Sequence, residues 1–420
     1  MNKKRFLKKM VGPKVWDRIR TFKRDLIVLK DALKGNFSCL KLYSAGFKLE
    51  KILTLEGKHV FFGYYDLQQL DDCEKQMLVH IIDVNSNPQK DPIEICVYDL
   101  EKDEYLRISK SYAWSWQQGA RLRWNPLNNN QIIFNNCSEG KYVCEIWDLK
   151  QRCLLKKIPI PLYDIAPKMN YGFGLNFSRL QRLRPGYGYS ALPDMTREEN
   201  IPQDDGIFRY NFDSDTVQLL ISYKRLCSDF VNNDDQHYIN HISVSPDGDK
   251  FMFFHLWNSG NVNKWRLRLY VSDMDGVNLK LLEEDDVISH YTWRDNKTLM
   301  TTKINKNSDE TCYYIYDVET GIKTAIKGEN LYLDGHPSFF RDKDVFLSDT
   351  YPQSNNIQHL FMFNKQDNEY MSILDAYHDP RLYGEKRCDL HPRLSKTNKY
   401  ISIDSTYKGN RRNVVLIKSV

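Results

Sequence analysis

The chain has 420 residues, 41% of them hydrophobic and 13% aromatic, which supplies a globular core and excludes an intrinsically disordered chain. No apolar run approaches the roughly 20 residues needed to span a bilayer, and no apolar stretch of a secretory signal follows the charged N-terminus. The net charge of +5 is uneven: residues 1–36 carry twelve Lys/Arg against three Asp/Glu, so the remainder is near −4 and offers no basic face to nucleic acid.

In residues 1–36, Val15, Trp16, Ile19, Phe22, Ile27, Leu29 and Leu33 recur at roughly helical spacing with basic residues between them, and Gly35 is a stop signal. The pattern predicts a short basic amphipathic helix, suited to an anionic membrane surface or to packing on the edge of the following domain. Nine cysteines without CxxC spacing read as reduced thiols of a cytoplasmic protein, with the basic segment allowing peripheral attachment at the inner face of the membrane.

Residues 37–420 carry one pattern seven times: a polar or histidine lead residue, a short strand, a turn rich in Asp, Asn, Gly or Lys, and a second apolar strand. The clearest copy runs from His241 to His255 (HISVSPDGDKFMFFH); others begin at Arg121, His290, His336 and His391, with weaker ones near His59 and Lys168. Two more strand candidates follow most copies, and four strands at a period of about 40–50 residues predict an all-β, seven-bladed β-propeller. The last copy lacks an outer strand. Phe47–Thr54 is expected to supply it by pairing with residues 413–418, closing the ring and removing open sheet edges.

This register gives a site map. First-strand lead residues ring one mouth of the central channel: Arg121, His241, His290, His336 and His391. Second strands should return to the same mouth with His80, Asn135, Asn136, His255, Asp349 and Asp404, so that six of the ten histidines converge. His241 is the expected base, with His255 opposite it. Neutral imidazoles with a carboxylate suit Zn²⁺ or Mn²⁺, and His290, His336 and His391 with Asp389, or else Asp334 or Cys388, form the candidate divalent-metal set. His237, four residues before His241, is expected on a solvated loop. The segment Arg182-Leu-Arg184-Pro-Gly-Tyr187-Gly-Tyr189 displays guanidiniums that match carboxylates and phenols that stack on sugars or donate a proton. Arg184, Tyr187 and Tyr189 are therefore assigned to catalysis, and Tyr64, Tyr65, Arg121, Asn136 and Arg179 to substrate binding. No phosphate loop or dinucleotide fingerprint is present, so no nucleotide cofactor is expected.

Together GYYD (63–66), QQGARLRW (117–124), NFSRLQRLRPGYGY (176–189), NHISVSPDGDKFMFFHLW (240–257), SHYTW (289–293), DGHPSF (334–339), SDTYP (348–352) and RCDLHPR (387–393) resemble the seven-bladed propeller polysaccharide lyases of the oligogalacturonate- and ulvan-lyase type. The resemblance covers nearly all of the chain after residue 55. It implies β-elimination on an acidic, uronate-containing polysaccharide or oligosaccharide, with His and Tyr as base and acid and Arg or a metal neutralising the carboxylate. Two other classes fit the fold: a non-catalytic propeller binding glycan or protein in surface-polysaccharide assembly, and a glycoside hydrolase using Asp66, Asp349 and Asp404.

Overall fold

A computed structural model describes residues 13–43, 46–230, 234–258, 265–284, 288–304, 310–341, 343–407 and 409–420. Seven antiparallel sheets follow one another along the chain. Blade one comprises Lys58–Phe61, Gln76–Asp83, Ile93–Asp99 and Glu104–Ser111; blade two Arg123–Asn125, Asn128–Ser138, Lys141–Asp148 and Cys153–Ile158. Blade three comprises Asp164–Ile165, Tyr171–Gly174, Gly206–Asn211 and Thr216–Ser222; blade four Gln236–Val244, Lys250–Asn258, Arg266–Asp273 and Lys280–Glu284. Blade five comprises Ile288–Trp293, Thr298–Lys303, Tyr313–Asp317 and Lys323–Ala325, and blade six Ser338–Phe339, Val345–Asp349, Ile357–Asn364 and Glu369–Tyr377. Blade seven comprises Arg393–Leu394, Tyr400–Ser405 and Asn413–Ser419, completed on its outer side by Phe47–Leu53.

The second strands are apolar without alternation because both faces meet a neighbouring blade. In Gln76–Asp83, residues 77–82 are all buried. One face packs Val79 and Ile81 with Val414 and Leu416 of blade seven, while Leu78 joins Trp114, Trp116, Ile132 and Phe134 toward blade two. Outer strands such as Glu104–Ser111 face solvent, with every residue before Ser111 exposed or half-buried. The blade-four turn at 245–248 forms as its Ser-Pro-Asp-Gly sequence dictates: Ser245 Oγ donates to Asp247 Oδ1 at 2.8 Å, and Gly248 takes a left-handed φ of 81° that a β-carbon would strain.

The ring closes as expected, with Phe47 opposite Ser419 and Leu53 opposite Val414. One strand lies outside the sequence expectation: Leu40–Leu42 pairs with Glu369–Tyr377 and makes blade six five-stranded. Before it, the helix Pro13–Leu33 ends ahead of Gly35, whose φ is 76°. Residues 1–12 of the basic segment lie outside the described residues. The helix rests on blade six and the segment that follows it. Asp31 Oδ2 accepts from Asn356 Nδ2 at 2.8 Å and from the Tyr377 hydroxyl at 3.2 Å, and the Arg24 guanidinium lies 3.2 Å from the Tyr383 ring centroid. Val15, Ile19, Phe22, Leu26, Leu29 and Leu33 are left exposed on the helix.

The third copy of the repeat begins earlier than its sequence suggests. Its inner strand is Asp164–Ile165, and Phe177–Leu183 is a helix because the Asn176 side chain accepts from the Arg179 amide at 2.9 Å and caps it.

Candidate active site

The floor of the site is the segment that joins the first two strands of blade one. Gly63 adopts φ 122° with Gln118 backbone close against it, a place without room for a β-carbon. The Phe62 and Gly63 amides donate to Asp404 at 3.1 Å each, and Asp404 is paired with buried Arg393 at 3.0 Å. Held from blade seven in this way, Tyr64 and Tyr65 cross the channel. The Tyr65 hydroxyl donates to the Tyr291 carbonyl at 2.7 Å and accepts from its amide at 2.9 Å. Asp66 accepts both guanidinium nitrogens of Arg121 at 3.0 Å and the Tyr291 hydroxyl at 2.9 Å.

Four lead histidines surround these tyrosines. The Tyr64 ring stacks on His241 at 5.2 Å and 16° and lies 4.9 Å from His391; the Tyr65 ring is 5.3 Å from His336 and 6.1 Å from His290. His290 and His336 are 4.0 Å apart by centroids, and His336 and His391 4.4 Å. Two devices aim them inward. Register breaks in the inner strands between Asn240 and Ser243, and between Ile288 and Tyr291, put His241 and His290 in bulges. Arg121, His241 and His391 take left-handed φ values of 52°, 58° and 46°, a conformation that costs a non-glycine residue about 1–3 kcal/mol and concentrates at functional sites.

Polar partners fix the rings. Asn240 Nδ2 donates to His241 Nε2 at 3.0 Å, so the proton resides on Nδ1, 3.1 Å from the Tyr163 hydroxyl, while the Tyr64 hydroxyl is 3.5 Å from Nε2. His336 Nδ1 lies 2.8 Å from Asp349, and His290 Nδ1 lies 3.2 Å from Asp334, with the Tyr351 hydroxyl 3.3 Å from its Nε2. His391 is buried, yet neither ring nitrogen has a partner among the described residues. Ligand atoms of His336, Asp389 and His391 lie within 4.8 Å of one another, and Arg387 grips Asp389 through two 2.7 Å bonds. Burial holds His241 and His391 well below the ordinary imidazole range, aided at His241 by Arg184 and at His391 by His336. At His336 burial opposes the charge, but the Asp349 carboxylate overrides it and raises the value; burial likewise opposes Asp389, and Arg387 pulls it down. Buried unpartnered imidazole nitrogens beside an ionised carboxylate, backed by a carboxylate–histidine pair, are a fitting donor set for a divalent cation.

The half-exposed Tyr187 completes the mouth, 5.9 Å from His241 and 6.2 Å from Tyr64, with the Arg184 guanidinium 4.9 Å over its ring and 4.1 Å over Trp265. A 540 Å³ cavity opens at the opposite end of the channel, lined by Asp66, Arg123, Asp164 and Trp293. None of the four histidines lines it, so they stand on the other side of the tyrosine plug.

Several expected members stand elsewhere. His255 does not reach the mouth: with pairs His237–Trp257 and Ile239–His255, it shares a sheet face with His237 and turns toward blade three. His80 also faces sideways, its Nε2 accepting from the Ala120 amide at 3.1 Å, so four histidines rather than six converge. His237 is on a strand and buried, not on a solvated loop. Tyr189 is fully buried, stacked on Phe177 at 4.1 Å and accepting from Asn135. Arg179 is buried and spends its guanidinium on the carbonyls of Thr196, Glu199, Asn200 and His237. Asn136 bridges Lys110 and Glu145 between blades one and two, and Arg121 is held beneath the plug by Asp66. Second-strand side chains thus point between blades, whereas the lead residues point along the channel. The sequence reading passed over Tyr163, Tyr291, Tyr351 and Arg387. Three of them sit in motifs already noted, beside His290, two residues after Asp349 and two before Asp389; Tyr163 has no local signal.

No protein-family model and no curated protein sequence matches the chain. Among solved structures it is similar to an oligogalacturonate lyase in complex with manganese, with TM-score 0.65, 14% identity, and 91% of this chain and 96% of that one covered. It is also similar to an oligogalacturonate lyase from Vibrio parahaemolyticus, with TM-score 0.63, 10% identity, and 90% and 97% covered. In fold, the chain is a seven-bladed propeller of the oligogalacturonate lyase type.

Proposed function

We propose that the protein binds an acidic, uronate-containing oligosaccharide or polysaccharide at the histidine mouth and cleaves it by β-elimination, as a carbon–oxygen lyase. The observation that carries this reading is the convergence of His241, His290, His336 and His391 on Tyr64 and Tyr65, with the buried His391 ring nitrogens lacking a hydrogen-bond partner among the described residues. Elimination needs a base for the proton α to the carboxylate, relief of the charge that develops there, and a proton for the leaving oxygen. His241 is the base: Nε2 is unprotonated, and its hydrogen bond from Asn240 sets that tautomer. As the C–H bond breaks, its electron pair forms the C=C bond and the C–O bond to the leaving sugar opens. Tyr64 or Tyr187 gives that oxygen its proton. Arg184, half-buried and not claimed by a carboxylate among the described residues, faces the substrate carboxylate. His336, His391 and Asp389, with His290 beside them, would hold a divalent cation such as Mn²⁺ or Zn²⁺, which as a Lewis acid lowers the cost of charge on the carboxylate.

The test is incubation with a panel of uronic-acid glycans. Growth of the ultraviolet absorbance of unsaturated uronates is expected with at least one. Saturated products would instead indicate a hydrolase, and binding without cleavage a glycan-binding scaffold in polysaccharide assembly.

Among the described residues no helix is long and apolar enough to cross a membrane. We assign the basic helix to an anionic membrane surface, which would place the protein peripherally at the cytoplasmic face. The support is its exposed stripe of Val15, Ile19, Phe22, Leu26, Leu29 and Leu33 with Arg18, Lys23 and Lys30 beside it. Each basic residue near such a surface contributes about 1 kcal/mol. The protein should therefore co-sediment with anionic vesicles at low salt. Substituting Phe22, Leu26 and Leu29 by Glu should abolish this without unfolding the propeller; unchanged sedimentation would remove the membrane role.

A further inference from the structure

A second cluster of ligating side chains lies where blades three and four meet, away from the mouth. Cys227 follows the short helix Tyr223–Leu226 that ends blade three, His237 is on the first strand of blade four, and His255 is on its second. All three are buried, and their ligand atoms lie within 4.8 Å of one another. His237 Nδ1 is 2.9 Å from His255 Nε2, and Cys227 Sγ is 3.8 Å from the same nitrogen. The Phe230 ring covers the group at 4.9 Å from His237 and 5.8 Å from His255, and Trp257 flanks it at 5.9 and 5.5 Å.

We propose that Cys227, His237 and His255 form a zinc site that ties the end of blade three to blade four, independent of the glycan-binding mouth. A zinc ion with bonds of about 2.0–2.1 Å to nitrogen and 2.3 Å to sulfur sets tetrahedral ligand atoms roughly 3.3–3.6 Å apart, so small shifts seat it. Without an ion the two rings share at most one proton between Nδ1 and Nε2, and their other nitrogens find no partner among the described residues. Binding exchanges the Cys227 thiol proton for the metal and releases it to solvent, with no change of oxidation state. The resulting thiolate offsets one charge of the ion, and the nearby Arg268 is already neutralised by Asp229 and Glu284. A sulfur–nitrogen donor set selects zinc over the oxygen-preferring Mg²⁺, Ca²⁺ and Mn²⁺.

The full-length protein, stripped with a chelator, is titrated with Co²⁺ as a spectroscopic stand-in for zinc. A thiolate-to-cobalt charge-transfer band in the near ultraviolet is expected. It should disappear in Cys227→Ser and persist in the His336→Ala/His391→Ala double variant, whose mouth is disabled. Zinc should raise the melting temperature of the His336→Ala/His391→Ala variant, and adding Cys227→Ser to that variant should remove the rise. Absence of the band in the wild type, or its survival in Cys227→Ser, overturns the proposal. Should Cys227→Ser fail to fold, X-ray absorption of the zinc-loaded double variant decides: one sulfur near 2.3 Å supports the site, and a shell of nitrogen and oxygen alone overturns it.

Discussion

Replacing His241 by Asn should slow elimination by about 10²–10⁴-fold, the usual contribution of a positioned general base, and leave the protein folded. Asn suits the test because it tolerates the left-handed φ of 58° at this position and keeps a polar partner for Tyr163. Alanine would be a poorer probe: His241 is only 3% exposed, so truncation would also leave Tyr163 and Asn240 short of a partner. The rate is read from unsaturated uronate on a glycan the wild type cleaves, with circular dichroism as the folding control. Full activity in the variant would remove His241 as the base while leaving the mouth as the site.

Replacing Asp404 by Ala should destabilise the propeller by about 3–5 kcal/mol, because it strands the buried Arg393 charge. Arg393 and Asp404 are 1% and 0% exposed, and the same carboxylate receives the Phe62 and Gly63 amides. The change therefore loosens both the closure of blade seven against blade one and the floor of the site. Urea unfolding followed by tryptophan fluorescence measures the loss. The exposed Asp72–Lys396 pair is the control, and Asp72→Ala should cost under about 1 kcal/mol. If Asp404→Ala costs no more than this control, the clasp is held by its strands alone.

The pairing of Phe47–Leu53 with Asn413–Ser419 was legible because a seventh copy ending one strand short has to borrow from the other terminus. His241, His290, His336 and His391 were legible because they recur at one register of the repeat. His255 was misplaced for a related reason: strand position locates a residue along the channel, but its parity decides which neighbouring blade it faces, and the bulge at 240–243 hides that parity in the sequence. Arg179 and Tyr189 lay in a motif rich in Arg and Tyr, but the Asn176-capped helix turns Arg179 inward and Tyr189 folds back to stack on Phe177.

The sequence by itself determined the number of blades, the closure of the ring and the four histidines of the mouth, because repeat period, apolar runs and turn residues are local properties of a chain. Only the tertiary structure decided what fills the channel and how charges are shared there. Tyr64 and Tyr65 meet histidines from blades four to seven, Asp404 holds their loop from blade seven, and Cys227 reaches His255 across a blade boundary. Each of these contacts joins residues that only the folded ring brings together.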